Sequence, residues 1–168
     1  RFNLLIKFFL VQGTTSYIRS LEKEFDEAST NSLRVELNKM EKAKLLVANT
    51  VGNRKYFTAN PKHPLYKNII DLVRKELGIE QIIERVTSRV GDLKEAYIIG
   101  RFAEGINSDT IELALVGKNL DTDYIDQLVP KAEKLVHRKI KYMTLLPEQM
   151  DYFFQDKPKY LFWQADGE

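Results

Sequence analysis

STNSLRVELNKMEKAKLLVANTVGNRKYFT, residues 29–58, sets the frame for the whole chain. Ser29 or Thr30 supplies a helix N-cap, and Leu33, Leu37 and Met40, spaced four and three apart, form a single buried stripe. Asn31, Ser32, Arg34, Val35 and Asn38 then face outward near the start of that helix. Lys44 to Thr50 reads as a strand, Val51-Gly52-Asn53 as a tight turn and Arg54 to Thr58 as the returning strand, so the hairpin carries basic residues at its tip.

Upstream, Phe2, Leu5, Ile6, Phe9 and Leu10 predict a helix that stops at Gly13, and Tyr17, Ile18, Leu21 and Phe25 predict a second over residues 16–25. Downstream, Asn60-Pro61 and His63-Pro64 act as punctuation. Leu65, Ile69, Leu72, Val73 and Leu77 then mark a fourth helix, Gly78 interrupts it, and Ile79, Ile82, Ile83, Val86 and Val90 give a further helical stretch. From Gly91 the period changes. Strands are expected at 96–100, 111–116 and 139–145, with a helix at 122–137 kinked or restarted at Pro130. Pro147 opens a short helix, and Tyr160 to Trp163 reads as an edge strand or a covering segment.

The expected fold class is therefore a two-domain α+β / α/β chain. Residues 1–64 form one domain, 65–90 linking and dimerisation helices, and 91–168 a second domain with a mixed sheet and helices.

The chain has 168 residues, 43% apolar and 30% charged, which suits one ordinary domain or two small ones. Without cysteine, disulfides, thiolate zinc sites, iron–sulfur clusters and cysteine nucleophiles are excluded. The longest apolar run, Leu4 to Val11, is broken by Lys7 and is far short of the ~18–20 residues of a membrane span. No membrane partner is expected, the expected compartment is the cytoplasm, and the displayed N-terminus is expected to be cut short.

Net charge is +2 but unevenly divided, with 16 Lys and Arg against 10 Asp and Glu up to Val90 and 10 against 14 thereafter. Between Thr30 and Lys62 there are seven bases (Arg34, Lys39, Lys42, Lys44, Arg54, Lys55, Lys62) and two acids. Such a cluster suits a polyanion.

Three helices followed by a basic-tipped hairpin is the element order of a winged helix-turn-helix, whose third helix enters the major groove. Double-stranded DNA is the expected partner. Thr30, Asn31, Ser32, Arg34, Asn38, Lys39 and Lys42 on the helix, with Arg54 and Lys55 on the wing, are the expected contacts. Arg and Asn suit base edges, Ser either base or phosphate, and Lys phosphate. The run Leu33 to Leu46, with the wing and Tyr56 to Asn60, resembles ArsR-type bacterial winged-helix regulators over about residues 1–77. That resemblance implies a two-fold homodimer on operator DNA, with the fourth helix at the dimer contact. Many ArsR-type proteins sense metals through Cys and His; here there is no Cys, and His63 and His137 read as loop or capping residues, so no metal and no cofactor is expected.

IIGRFAEGINSDTIELALVG, residues 98–117, resembles the minimal nucleotidyltransferases of the DNA polymerase beta superfamily over about residues 91–145. That family places a Gly-Ser turn after one strand, Ser-Asp-hydrophobic-Asp on the next and a third acid on a later strand, so that the acids hold Mg²⁺ against nucleotide phosphates. Here Arg101 stands where the Ser belongs. Asp109 and Glu112 are three apart rather than two, which a regular strand sends to opposite faces and only a bulge would reunite. The third strand, Lys139 to Thr144, has no carboxylate. Gly100, Arg101, Ser108, Asp109, Glu112 and Lys141 are left as a pocket for an anionic or nucleotide effector, or as a relic used for dimer packing. The aromatics Tyr152, Phe153, Phe154, Tyr160, Phe162 and Trp163 read as core or interface.

The expectation is thus a DNA-binding transcriptional regulator whose nucleotidyltransferase-like second domain is not an enzyme. The alternatives are an active nucleotidyltransferase of toxin–antitoxin type with an autoregulatory winged helix, and a protein-interaction adaptor.

Overall fold

The computed structural model describes residues 1–26 and 28–167. The chain divides into two compact units, Arg1–Val73 and Arg74–Glu168.

In the first unit, α1 (Phe2–Leu5) continues into a π-helical turn, Ile6–Leu10, all five residues of which are buried. The spacing read from the sequence implies a regular helix. The wider π turn instead shifts the inward register and takes Lys7 inside along with Phe8. The ammonium of Lys7 is 2.6 Å from a carboxylate oxygen of Glu24 at the end of α2 (Ile18–Glu24), and Ser20 donates to the other oxygen at 3.0 Å.

Thr15–Tyr17 is a strand, β1, where a helix was expected to open at Ser16. Its backbone is claimed by the register Thr15 to Thr58 and Tyr17 to Tyr56, a tertiary pairing that local periodicity does not reveal.

α3 (Thr30–Lys42) starts on Ser29, whose hydroxyl accepts from the Ser32 N–H, and buries Leu33, Leu37 and Met40. β2 (Leu46–Val51) and β3 (Arg54–Ala59) form the hairpin around Gly52, and the three strands make an antiparallel sheet in the order β1-β3-β2. α4 (Tyr66–Glu76) follows, and the division between the units falls within it.

The second unit is a mixed four-stranded sheet with helices, in the order β6-β5-β4-β7. α5 (Ile79–Val86) leads to β4 (Asp92–Ile99), α6 (Gly100–Ala103) and β5 (Thr110–Lys118). α7 (Thr122–Val136) crosses to β6 (Lys139–Leu145), which runs parallel to β5. A 3-10 turn (Pro147–Gln149), α8 (Met150–Phe153) and β7 (Tyr160–Gln164) complete the unit, β7 pairing antiparallel with β4 at the sheet edge. α7 neither stops nor restarts at Pro130. That residue is exposed, so water can satisfy the carbonyl its missing N–H leaves unpaired.

One sheet face, with Leu113, Leu115 and Ile140, meets Ile82 and Val86 of α5 and Ile125, Leu128 and Ala132 of α7. The other carries Tyr97, Ala114, Val116 and Leu145 beneath Met150 and Phe154. Among the described residues no helix is long and apolar enough to cross a membrane.

The Lys7–Glu24 pair yields a stability prediction. Glu24→Gln leaves a buried ammonium without its counter-charge and should cost about 3 kcal/mol in urea unfolding, while Lys7→Met combined with Glu24→Met should recover most of the loss. A single-variant cost under about 0.5 kcal/mol would show that the pair does not hold the π turn.

Candidate functional site

The loops after β4 and before β5 and β6 meet at one end of the second sheet. β4 ends at Ile99, and Gly100 opens α6 with φ +64, a left-handed conformation that side chains disfavour. The antiparallel register sets Ile99 opposite Glu112, and the parallel register sets Glu112 beside Lys141, giving a row Ile99, Glu112, Lys141 across the sheet. The half-buried carboxylate of Glu112 folds against Gly100. A Cβ there would overlap its Oε1 and lie 2.7 Å from its Cδ. Gly100 is thus required by the backbone and by the carboxylate together.

The other expected pocket residues separate into two groups. The pairing of β5 with β6 runs without a break from Thr110 to Val116, and the bulge lies in β4, between Leu93 and Glu95. The pleat therefore places Thr110 and Glu112 on one face. Asp109, just before the strand, does not join Glu112. Its carbonyl accepts from the Lys139 N–H at 2.8 Å, and its charge acts on Arg138. The Ser108 hydroxyl accepts from the Thr110 N–H at 3.2 Å. Arg101 and Lys141 are exposed, the first on α6 and the second on the same sheet row as Glu112.

Arg138 is a residue that sequence reasoning missed. Its guanidinium lies 5.4 Å from the ring centre of Phe102 and donates through Nη1 to the Ser108 carbonyl at 2.5 Å. Burial pulls its pKa below the ordinary arginine value, against the opposing charge of Asp109. Nothing in the sequence marks it beyond an arginine at the foot of a strand.

The phenols of Tyr97 and Tyr142, each pushed up to about 12 by burial and by the carboxylates of Glu95 and Asp126 to which they donate, stay neutral. Neither is placed to carry a proton for the site: Tyr97 packs with Ala114 on one sheet face and Tyr142 beside Leu113 on the other. His63 accepts from the Leu65 N–H, and His137 closes α7 in a left-handed conformation. Among the described residues, no group of three or more His, Cys, Asp or Glu is placed to hold a metal ion.

In the first unit, Thr30, Asn31, Ser32, Arg34, Asn38, Lys39, Lys42, Arg54 and Lys55 are all exposed, but the surface they form is partly neutralised from within. The Thr30 hydroxyl donates to Glu22. Glu36 holds Arg1 at 2.9 Å and Lys39 at 3.4 Å, and Glu41 holds Lys55 at 2.6 Å. The carboxyl of Glu36 is lowered to about 2, chiefly by its hydrogen bond from Arg1, so it stays anionic on the face expected to meet phosphates. Arg54 lies 5.0 Å over the Tyr17 ring.

No family model matches the chain, and no curated protein is significantly similar to it. Among solved structures it is similar to a double mutant of the toxin–antitoxin pair MntA–HpeT, with 16% identity, 52% of this chain and 73% of that one covered, and a TM-score of 0.42. It is also similar to a candidate nucleotidyltransferase from Sulfolobus solfataricus, with 26% identity, 55% of this chain and 83% of that one covered, and a TM-score of 0.40. Neither is described as a DNA-binding regulator. These findings correct two expectations: that the chain is an ArsR-type DNA-binding transcriptional regulator, and that it is not an enzyme. The ion pairs on Glu36 and Glu41 bear on the first correction, since two of the cations assigned to DNA, Lys39 and Lys55, have acidic partners.

A comparison of two glycines checks the turn. Gly13 is also left-handed, at φ +78, but has open space where a Cβ would stand. Gly13→Ala should cost about 1 kcal/mol for the backbone alone, and Gly100→Ala at least about 1 kcal/mol more because Glu112 must move. Equal costs in denaturant unfolding would remove the Gly100–Glu112 contact from the site.

Proposed function

We propose that the chain is a nucleotidyltransferase of toxin–antitoxin type, with its nucleotide site at the end of the second sheet where Gly100 and Glu112 meet. The supporting observation is that carboxylate lying on a side-chain-free turn, with Lys141 beside it on the next strand.

Gly100 has no side chain of its own, and the Glu112 carboxylate takes the space a Cβ would fill, so a phosphate of the nucleotide would approach the turn from its other side. Arg101 and Lys141 are cations able to offset its charge. In the transfer, an acceptor hydroxyl attacks the α-phosphorus of a nucleoside triphosphate, the P–O bond to pyrophosphate breaks, and the hydroxyl proton passes to the Glu112 carboxylate acting as general base. The cations carry the charge that builds on the departing pyrophosphate.

The donor set for two protein-held metal ions does not fit: among the described residues no three acids or histidines gather to hold one, and β6 offers Lys139 and Lys141 where a third acid would stand. No step is routed through such ions, and Mg²⁺ enters only as part of the Mg–ATP substrate.

With this reading goes a winged-helix architecture for the first unit. It is supported by the order α1, β1, α2, α3, β2, β3 and by the sheet order β1-β3-β2. A second copy of the chain is proposed as partner, supported by Leu65 and Leu72, which are exposed beside α4 and on it.

Incubation with Mg–ATP labelled at the α-phosphate, in the presence of cell extract as acceptor source, should transfer label to protein with release of pyrophosphate. Glu112→Ala should lower the rate at least about 100-fold. No transfer by the wild-type chain, or equal transfer by Glu112→Ala, would overturn the reading.

A further inference from the structure

Arg138 touches both banks of the Gly100–Glu112 site without belonging to either. Its flat guanidinium lies over Phe102, the third residue of the helix that Gly100 opens. The same group donates to the carbonyl of Ser108, two residues before β5 and four before Glu112. The segment 104–109 has no regular secondary structure, and these two contacts tie α6 to the residues that lead back into β5.

The placement of Arg138 is itself fixed from several directions. His137, in a left-handed conformation, turns the chain directly from α7 into β6. The Ile140 N–H donates to Glu133 of α7 at 2.9 Å, and the Lys139 N–H donates to the Asp109 carbonyl at 2.8 Å. The side chain is half-buried with Asp109 as a charged neighbour. The planar head of an arginine can lie flat on a ring while donating in its own plane, a geometry the ammonium of a lysine does not reproduce.

We propose that Arg138 is a positioning residue for the nucleotide site, holding the 104–109 segment and α6 together so that the Gly100 turn keeps one fixed place beside Glu112 when a nucleoside triphosphate binds. This inference rests on the nucleotidyltransferase reading. It predicts that Arg138 affects affinity for nucleotide through geometry, without touching the ligand.

The test uses the full chain as wild type, Arg138→Ala and Arg138→Lys, with Mg–ATP as probe. Affinity is read by calorimetry, and amide hydrogen exchange is followed across 104–109. Arg138→Ala should weaken ATP binding about tenfold, the loss expected for one charge-assisted hydrogen bond. Exchange in 104–109 should rise in the same variant. Arg138→Lys keeps the charge and the stem, so it guards against simple misfolding, and it should still bind ATP several-fold more weakly than wild type. Where turnover is measurable, KM for ATP should rise, whereas mere loss of folded protein would lower kcat and leave KM unchanged. Wild-type chain that fails to bind ATP would overturn the nucleotide reading and this inference together. ATP binding that both variants leave intact would overturn this inference alone, even if exchange in 104–109 rises.

Discussion

The carboxylate of Glu112 and the bare backbone of Gly100 occupy adjoining space, and the arrangement of the second unit follows from that contact. It fixes the register of β4 against β5, since Ile99 must stand opposite Glu112 for the two to meet. It also fixes the turn: a left-handed residue at the end of β4 sends the chain into α6 instead of continuing the strand. The return to β5 then depends on contacts beyond the sheet ladder, with Ser108 held by Arg138 and Asp109 by the backbone of Lys139. A close approach of backbone to acid is an uncommon use of a strand end, because a carboxylate beside a carbonyl-rich sheet gains nothing until a cation or a proton donor arrives.

Much of this architecture was legible from local pattern. Ser29 as cap with Leu33, Leu37 and Met40 as buried stripe, the hairpin around Gly52, and β6 over residues 139–145 all follow from spacing and turn chemistry. Where the reading departed from the structure, a non-local force decided. Thr15–Tyr17 became a strand because β3 offered it a partner, and the turn at Ile6–Leu10 widened as Lys7 found Glu24 some distance along the chain. α7 passed through Pro130 on an exposed face. The candidate site was half legible. Gly100 and Glu112 could be named from the strand, glycine and acid pattern, yet whether Asp109 joined them depended on a bulge that β5 does not have. Arg138 carried no signal, because its role depends on Phe102 and Ser108 meeting it in space.

The first unit shows how pairing distributes charge that a sequence only counts. Seven bases and two acids lie between Thr30 and Lys62, and the fold pairs both acids. In the folded unit Lys39 and Lys55 stand against Glu36 and Glu41, acids on the same helix, and Arg54 lies over an aromatic ring. Exposed pairs of this kind contribute little to stability, but they lower the field that a phosphate backbone would meet. The fold of the unit and the use of its surface are separate questions, and only the first follows from helix and strand order.

Backbone amide spectra of the isotopically labelled full chain, recorded while Mg–ATP is added, would locate the nucleotide on the protein. Saturable shifts are expected at residues 99–103 and 110–112, with the amides of α3 and the β2–β3 hairpin unmoved. Shifts confined to the first unit, or none at all at saturating nucleotide, would contradict a nucleotide site at the end of the second sheet.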